Sequence, residues 1–367
     1  MSVSAGARVQ RRTSGLSDKV RKRIEITILS LPALIMFLGF VILPVFMAGY
    51  YGFFKWKGYG KPTVNGQFIG FENYKIILTD PNFQQALGHT LFVVVASLVI
   101  QGPLAILFAL LLNQRFKGRA LIRTLIFVPY VVSEVIVGTG WSLILQTTGA
   151  LNALLKKIGL GGADWISDPK IAIWTLMFII SWKYIGFAVI LMIAGMQSIP
   201  EDLYEAAKVD GAGFWRQQWS ITLPLLGPTI RIWAFMSIIG SLQLFDLVYI
   251  IWGQYVSSTA GTSTMANLMV REGRLANNYG YGSAVAVVIF IISLVIALTY
   301  QRFVLNRDRR KGRSLTRGMP SVVPSVRRRK RPSLPRPMAM PQQLQMRWFH
   351  NDDRSLPVRR QGQEQDL

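Results

Sequence analysis

The stretch EAAKVDGAGFWRQQWSITLP, Glu205 to Pro224, lies between two long apolar runs, and its reading decides the architecture. Glu205, Ala206 and Ala207 are good helix formers, and Gly211 with Gly213 interrupts them. Trp215 and Trp219, four apart, share one face of the helix that follows, while Arg216, Gln217 and Gln218 are polar. Pro224 stands where the next apolar segment begins, the end of a helix at which proline is tolerated. The stretch reads as a short helix, a glycine break and a second helix start, lying at a membrane surface.

Composition agrees with a membrane on either side of it. Of 367 residues, 51% are hydrophobic and only 16% charged, against about a quarter charged in soluble domains. The mean hydropathy is +0.34. The apolar residues are blocked into runs too long for core strands or short helices, so the fold class is all-α, a polytopic membrane protein. The chain has no cysteine, which removes disulfides, thiolate nucleophiles and cysteine metal sites together. The two histidines, His89 and His350, are far apart and do not suggest a metal site. A net charge of +23 invites a nucleic-acid partner. However, the basic residues concentrate at both ends and in one short loop, as membrane topology demands, so no nucleic acid is expected.

In chain order, residues 1–23 read as a basic, flexible cytoplasmic lead-in. Six transmembrane helices follow within residues 24–304, at about Ile26–Tyr50, Thr90–Leu112, Thr124–Leu145, Ile171–Met196, Pro228–Trp252 and Ser283–Val304. The first apolar run is too long for a signal-peptide core and lacks a small-x-small cleavage site, which leaves a cleaved signal as the weaker alternative. NQRFKGRALIR at Asn113–Arg123 carries four basic residues and marks the cytoplasmic side, as does the loop 197–227. Tyr51–Leu87, Thr147–Lys170 and Gly253–Gly282 are expected outside, the last with TAGTST and NNYGYGS turn chemistry. Phe71, Tyr74 and Phe83 suggest a re-entrant or interfacial helix with aromatics at headgroup level. An even span count places both termini in the cytoplasm. Residues 305–367, with RRRKRP at Arg327–Pro332, carry few apolar side chains and are expected to be disordered and to adhere to anionic headgroups at most.

The central stretch also resembles a specific pattern. Permease subunits of binding-protein-dependent ABC importers carry a loop of the form EAA, two residues, DGA, a spacer, then I-x-L-P. Glu205, Ala206, Ala207, Asp210, Gly211, Ala212, Ile221, Leu223 and Pro224 occupy all of those positions. The passage from GFENY at Gly70–Tyr74 to DPNFQQALGHT at Asp80–Thr90 is similar to one in sugar-importer permeases of the maltose and glycerol-3-phosphate type, with His89 where Asn is usual. The resemblance implies a type I importer fold whose loop seats in a groove of a cytoplasmic ATPase dimer. It also implies a second permease subunit and an extracytoplasmic solute-binding protein as partners. Counted without gaps from the loop, the maltose permease's sugar-facing positions fall on Ser237, Ser241 and Leu244. Only Ser237 keeps the residue type, which puts maltose itself in doubt.

The residues themselves offer no enzyme. There is no Walker A sequence, HExxH motif or nucleophile elbow, so no catalytic residue or cofactor is expected, and any ATPase belongs to other subunits. Sugar recognition needs hydrogen-bonding groups and aromatic faces in a mostly apolar cavity. Tyr184, Phe187, Ser237, Ser241, Gln243 and Tyr249 supply such groups, and helix packing is the plainer use of each. Glu134, Lys183, Arg231 and Asp246 are the ionisable residues inside the spans. Arg231 reads as a snorkelling side chain; Asp246 is a candidate for the solute path or for pairing with Lys183. Glu134, Lys183 and Asp246 together would also suit an ATP-independent secondary transporter or channel.

Overall fold

A computed structural model describes residues 18–114 and 116–302. The first 17 residues and the tail from 303 on, including the stretch expected to be disordered, lie outside the described residues. Helix α1 runs through Asp18–Phe37, a π-helical turn at Leu38–Ile42, and Leu43–Tyr51. It therefore begins inside the segment read from the sequence as a flexible lead-in. A two-residue antiparallel ribbon pairs Phe54 with Phe68. After it come α2 (Glu72–Thr79) and α3 (Pro81–Leu112). The pair α4 (Arg119–Val131) and α5 (Glu134–Ile144) follows, then α6 (Ala150–Lys157) and α7 (Ala172–Gln197). The chain continues through α8 (Glu201–Val209), α9 (Phe214–Leu242), α10 (Asp246–Thr259), α11 (Met265–Val270) and α12 (Tyr279–Tyr300). Among the described residues, five helices are long and apolar enough to cross a membrane, and six spans result if the bent pair α4–α5 counts as one.

Prolines explain an irregularity shared by three of the long helices. Pro44, Pro103 and Pro224 each stand two residues after a π-helical turn, at Leu38–Ile42, Ser97–Gln101 and Gln218–Thr222. A proline cannot donate to the carbonyl four residues back. In each helix the residue before the proline instead bonds five back: Leu43 to Leu38, Gly102 to Ser97, and Leu223 to Gln218. The wider turn makes room for the ring and lets the helix run on, as lipid requires.

Several boundaries differ from those expected. The second span begins at Pro81, not Thr90, because Asp80 caps it by accepting from the Asn82 amide at 2.9 Å. Phe83 is consequently a buried core residue rather than a headgroup anchor. The third span is not one helix. It turns by 96° between α4 and α5, where Val132 and Ser133 are extended and Ser133 caps Ile136. The fifth starts at Phe214 and ends at Leu242, so the expected Pro228–Trp252 is split at 243–245. Gly253, at φ 64 and ψ −167, then kinks α10 in a conformation open only to glycine. The segment expected as an outer loop is folded inward: Thr262, Ser263, Thr264, Met265, Asn267 and Leu268 are all buried. The sixth span begins at Tyr279.

The core forms where these elements cross. Leu176, Ile179, Leu247, Val248 and Trp252 pack α7 against α10. Ala105, Ala109, Ala188, Met192 and Leu226 join α3, α7 and α9. Small residues permit such close approach: a methyl group on Gly186 would lie 2.2 Å from the Ile126 carbonyl oxygen of α4.

Candidate functional site

Between α3, α7 and α9 lies a cavity of about 210 Å³, walled in part by Ser97, Gln101, Tyr130, Trp233, Ser237 and Ser241. Tyr184, Phe187 and Leu244 also line it. Tyr130 and Phe187 stack at 5.0 Å between ring centroids, and Tyr130 lies 6.2 Å from Tyr184, edge to face. Five of the residues singled out from the sequence thus meet on one wall. The other three do not: Gln243 and Asp246 are exposed at the break between α9 and α10, and Tyr249 stacks on Phe245.

Ser97, Gln101, Tyr130 and Trp233 were not among the expected residues. Ser97 and Gln101 are neutral and lie in the second span, whereas the hydrogen-bonding groups expected to meet a sugar lie in the fourth and fifth. Their signal was present nonetheless, as two hydrogen-bonding side chains four apart in an otherwise apolar run just before Pro103.

The ionisable residues sit behind this wall at the α4–α5 turn. Lys183 is only 3% exposed, and its ammonium donates to the Val132 carbonyl at 2.7 Å, capping the free end of α4. The pairing of Lys183 with Asp246 is not what the geometry gives. The Tyr184 hydroxyl donates to Glu134, which opens α5. A carboxylate at a helix start and an ammonium at a helix end both oppose the local backbone dipole.

At the end of the bundle where α7 hands over to α9, the central stretch is built as its glycines suggested. Gly211 has φ +77, its amide donates to the Lys208 carbonyl at 3.0 Å, and the Ala212 amide reaches Ala207 at 2.8 Å. These two bonds form the paired closure that ends many helices. Tyr204 bonds Thr222 at 2.9 Å and Gln217 reaches the Ala212 carbonyl at 2.7 Å, locking α8 onto the start of α9. Glu205, Ala206 and Asp210 are exposed, and so are Val209, Trp215 and Trp219. Ala207, Ala212, Ile221 and Leu223 are half-buried and Pro224 is exposed.

The bundle, its internal cavity and the rigid exposed hairpin of α8 and α9 define a multi-pass helical membrane protein of the solute-transport class. A family model described as "Binding-protein-dependent transport system inner membrane component" matches residues 101–311, and the chain belongs to that family. It is therefore a multi-pass inner-membrane permease subunit. Over 274 residues it is 31% identical to the trehalose/maltose transport system permease protein MalF of Thermococcus litoralis, covering 74% of this chain and 90% of that one. It is 32% identical to the sulfoquinovosyl glycerol transport system permease protein SmoG of Agrobacterium fabrum, over 78% and 92% of the two chains. A chain of a bacterial alginate ABC transporter, solved in complex with an alginate pentasaccharide-bound periplasmic protein, superposes with a TM-score of 0.68 at 26% identity. That match covers 77% of this chain and 95% of the other.

Proposed function

We propose that the chain carries a sugar or short oligosaccharide across the membrane through the cavity between α3, α7 and α9, driven by ATPase subunits that grip the hairpin Glu205–Pro224. The observation that carries this reading is the cavity's make-up. Stacked aromatic rings face hydroxyl and amide groups in an apolar surround, the combination that recognises a sugar ring. The relatives support the same class of solute, with trehalose, maltose and alginate in their names.

In this reading the ATPase dimer shifts the permease between inward-open and outward-open states only by holding the hairpin differently in each. Exposed Val209, Trp215 and Trp219 supply apolar contact and Glu205 an anchoring charge. A solute-binding protein docks on the opposite end, a second permease subunit completes the path, and both termini are cytoplasmic. The basic segment 1–23 and tail 305–367 flank the permease domain on that side. An ATP-independent path through Glu134, Lys183 and Asp246 gains no support, because Lys183 is engaged by Val132 and Glu134 by Tyr184.

The test is reconstitution of the full transporter, with its binding protein and ATPases, in proteoliposomes given radiolabelled maltose, trehalose or arabinotriose. Uptake of at least one sugar that stops without ATP is the expected result. Uptake at the same rate without nucleotide, or uptake of none of the three, would defeat the proposal.

A further inference from the structure

The cavity contains an amide whose hydrogens go nowhere. Ser237 on α9 donates to Ser97 Oγ on α3 at 3.1 Å, and Ser97 donates to Gln101 Oε1 at 3.1 Å. The chain of hydroxyl protons runs one way across the two helices and ends on the amide oxygen. Gln101 Nε2, in a residue only 3% exposed, has no hydrogen-bond partner among the described residues. Leaving a buried donor unmade costs about 1–3 kcal/mol, and native structures seldom keep such groups without a use.

The surroundings hold this donor in place. Gln101 closes the π-helical turn that Pro103 imposes, so its backbone is set by the covalent chain and not by a partner. The next residue, Gly102, lies against the Trp233 ring, 2.8 Å from where a methyl group would stand, and Trp233 lines the cavity. Of the two tyrosines on the aromatic side, Tyr184 has already given its hydrogen to Glu134. The wall that a solute would pass therefore holds, just beneath its surface, a donor that lacks an acceptor.

Resting on the carbohydrate reading above, we propose that Gln101 is a specificity-determining residue of the transport path. It donates its amide hydrogens to a hydroxyl or ring oxygen of the passing sugar. Ser97 and Ser237 are positioning residues, which hold the amide oxygen and leave the nitrogen for the solute.

The test uses the complete transporter in proteoliposomes with whichever of maltose, trehalose and arabinotriose the unaltered protein imports. Gln101→Met keeps the length and removes both donors; Gln101→Glu keeps the shape and offers only acceptors at neutral pH. Both are expected to lower sugar uptake about fivefold to tenfold, the weight of one hydrogen bond, while ATPase stimulation by the loaded binding protein is unchanged. Ser97→Ala leaves the donors present but frees the amide oxygen, and is expected to lower uptake by a smaller factor, about twofold to threefold. Uptake by Gln101→Met at the normal rate would overturn the inference, since the amide would then be serving water or nothing. Parallel loss of uptake and ATPase stimulation in both Gln101 variants would also overturn it, by marking Gln101 as a packing residue. Failure of the unaltered transporter to import any of the three sugars is a different result: it removes the carbohydrate reading itself, and this inference with it.

Discussion

Gly211 shows how much one residue of the central hairpin carries. Its φ of +77 lies in the left-handed region, where an L side chain costs about 1–2 kcal/mol. Its amide is also the donor that closes α8 on Lys208. Gly211→Ala adds only the first cost; Gly211→Pro cannot adopt that φ and removes the donor as well. Gly211→Pro is expected to abolish sugar uptake and its coupling to ATP hydrolysis while the protein still inserts, with Gly211→Ala intermediate. Glu205→Lys, which reverses an exposed charge on α8, should uncouple uptake without disturbing the fold. Parallel uptake and ATPase measurements check all three, and full activity in Gly211→Pro would show that the hairpin's shape does not matter. The glycine's role was legible in the sequence, since a break after a helix-forming triplet has few other structural uses. The orphan donor of Gln101 was not, because its significance depends on where Ser97 and Ser237 place the other end of the amide.

At the scale of the elements, the apolar runs marked where helices exist but not where two of them break. Both breaks free backbone carbonyls within the bundle, where each must find a partner. Val132 receives Lys183 from α7, and Leu244 receives the Thr264 hydroxyl at 2.6 Å from the turn before α11. These partners lie 51 and 20 residues away in the chain, so no local pattern announces them. Each carbonyl should therefore be costly to strip. Lys183→Met and Thr264→Val, which keep volume and remove the donor, are each expected to destabilise the protein by about 1–3 kcal/mol. A lowered unfolding midpoint in detergent would register the loss; midpoints equal to the unaltered protein's would mean that water replaces the donors. The π-helical turns behave differently. They accompany Pro44, Pro103 and Pro224, whose rings are local, but Pro32, Pro129 and Pro228 lie within helices with no such turn two residues before them, so proline alone does not announce them.

For the whole molecule, the least supported helix is α1. None of the residues in its most apolar window is buried, and Leu29, Phe40 and Phe46 are widely exposed. Lipid or a second permease subunit must cover them, and the proposed pairing favours the subunit for part of that face. The absence of native cysteine makes the arrangement accessible to single-cysteine labelling. A cysteine at Val209, in the hairpin, and one at Leu160, after α6, are expected to react with an impermeant maleimide from opposite sides of a sealed membrane, Val209 from the cytoplasm. Labelling of Val209→Cys from outside would invert the topology and remove the ATPase from the hairpin.

The sequence by itself determined that this is a helical membrane protein with about six spans and a glycine-broken hairpin between two of them. Hydropathy and glycine placement are properties of neighbours along the chain, and insertion into lipid reads them directly. Only the tertiary structure decided that the third and fifth spans break, that residues 262–268 turn inward, and that Ser97 and Gln101 from one helix meet Ser237 and Trp233 from another. Those outcomes depend on which distant side chain reaches a freed carbonyl or an empty wall. That pairing is settled by packing in three dimensions, and a one-dimensional pattern does not contain it.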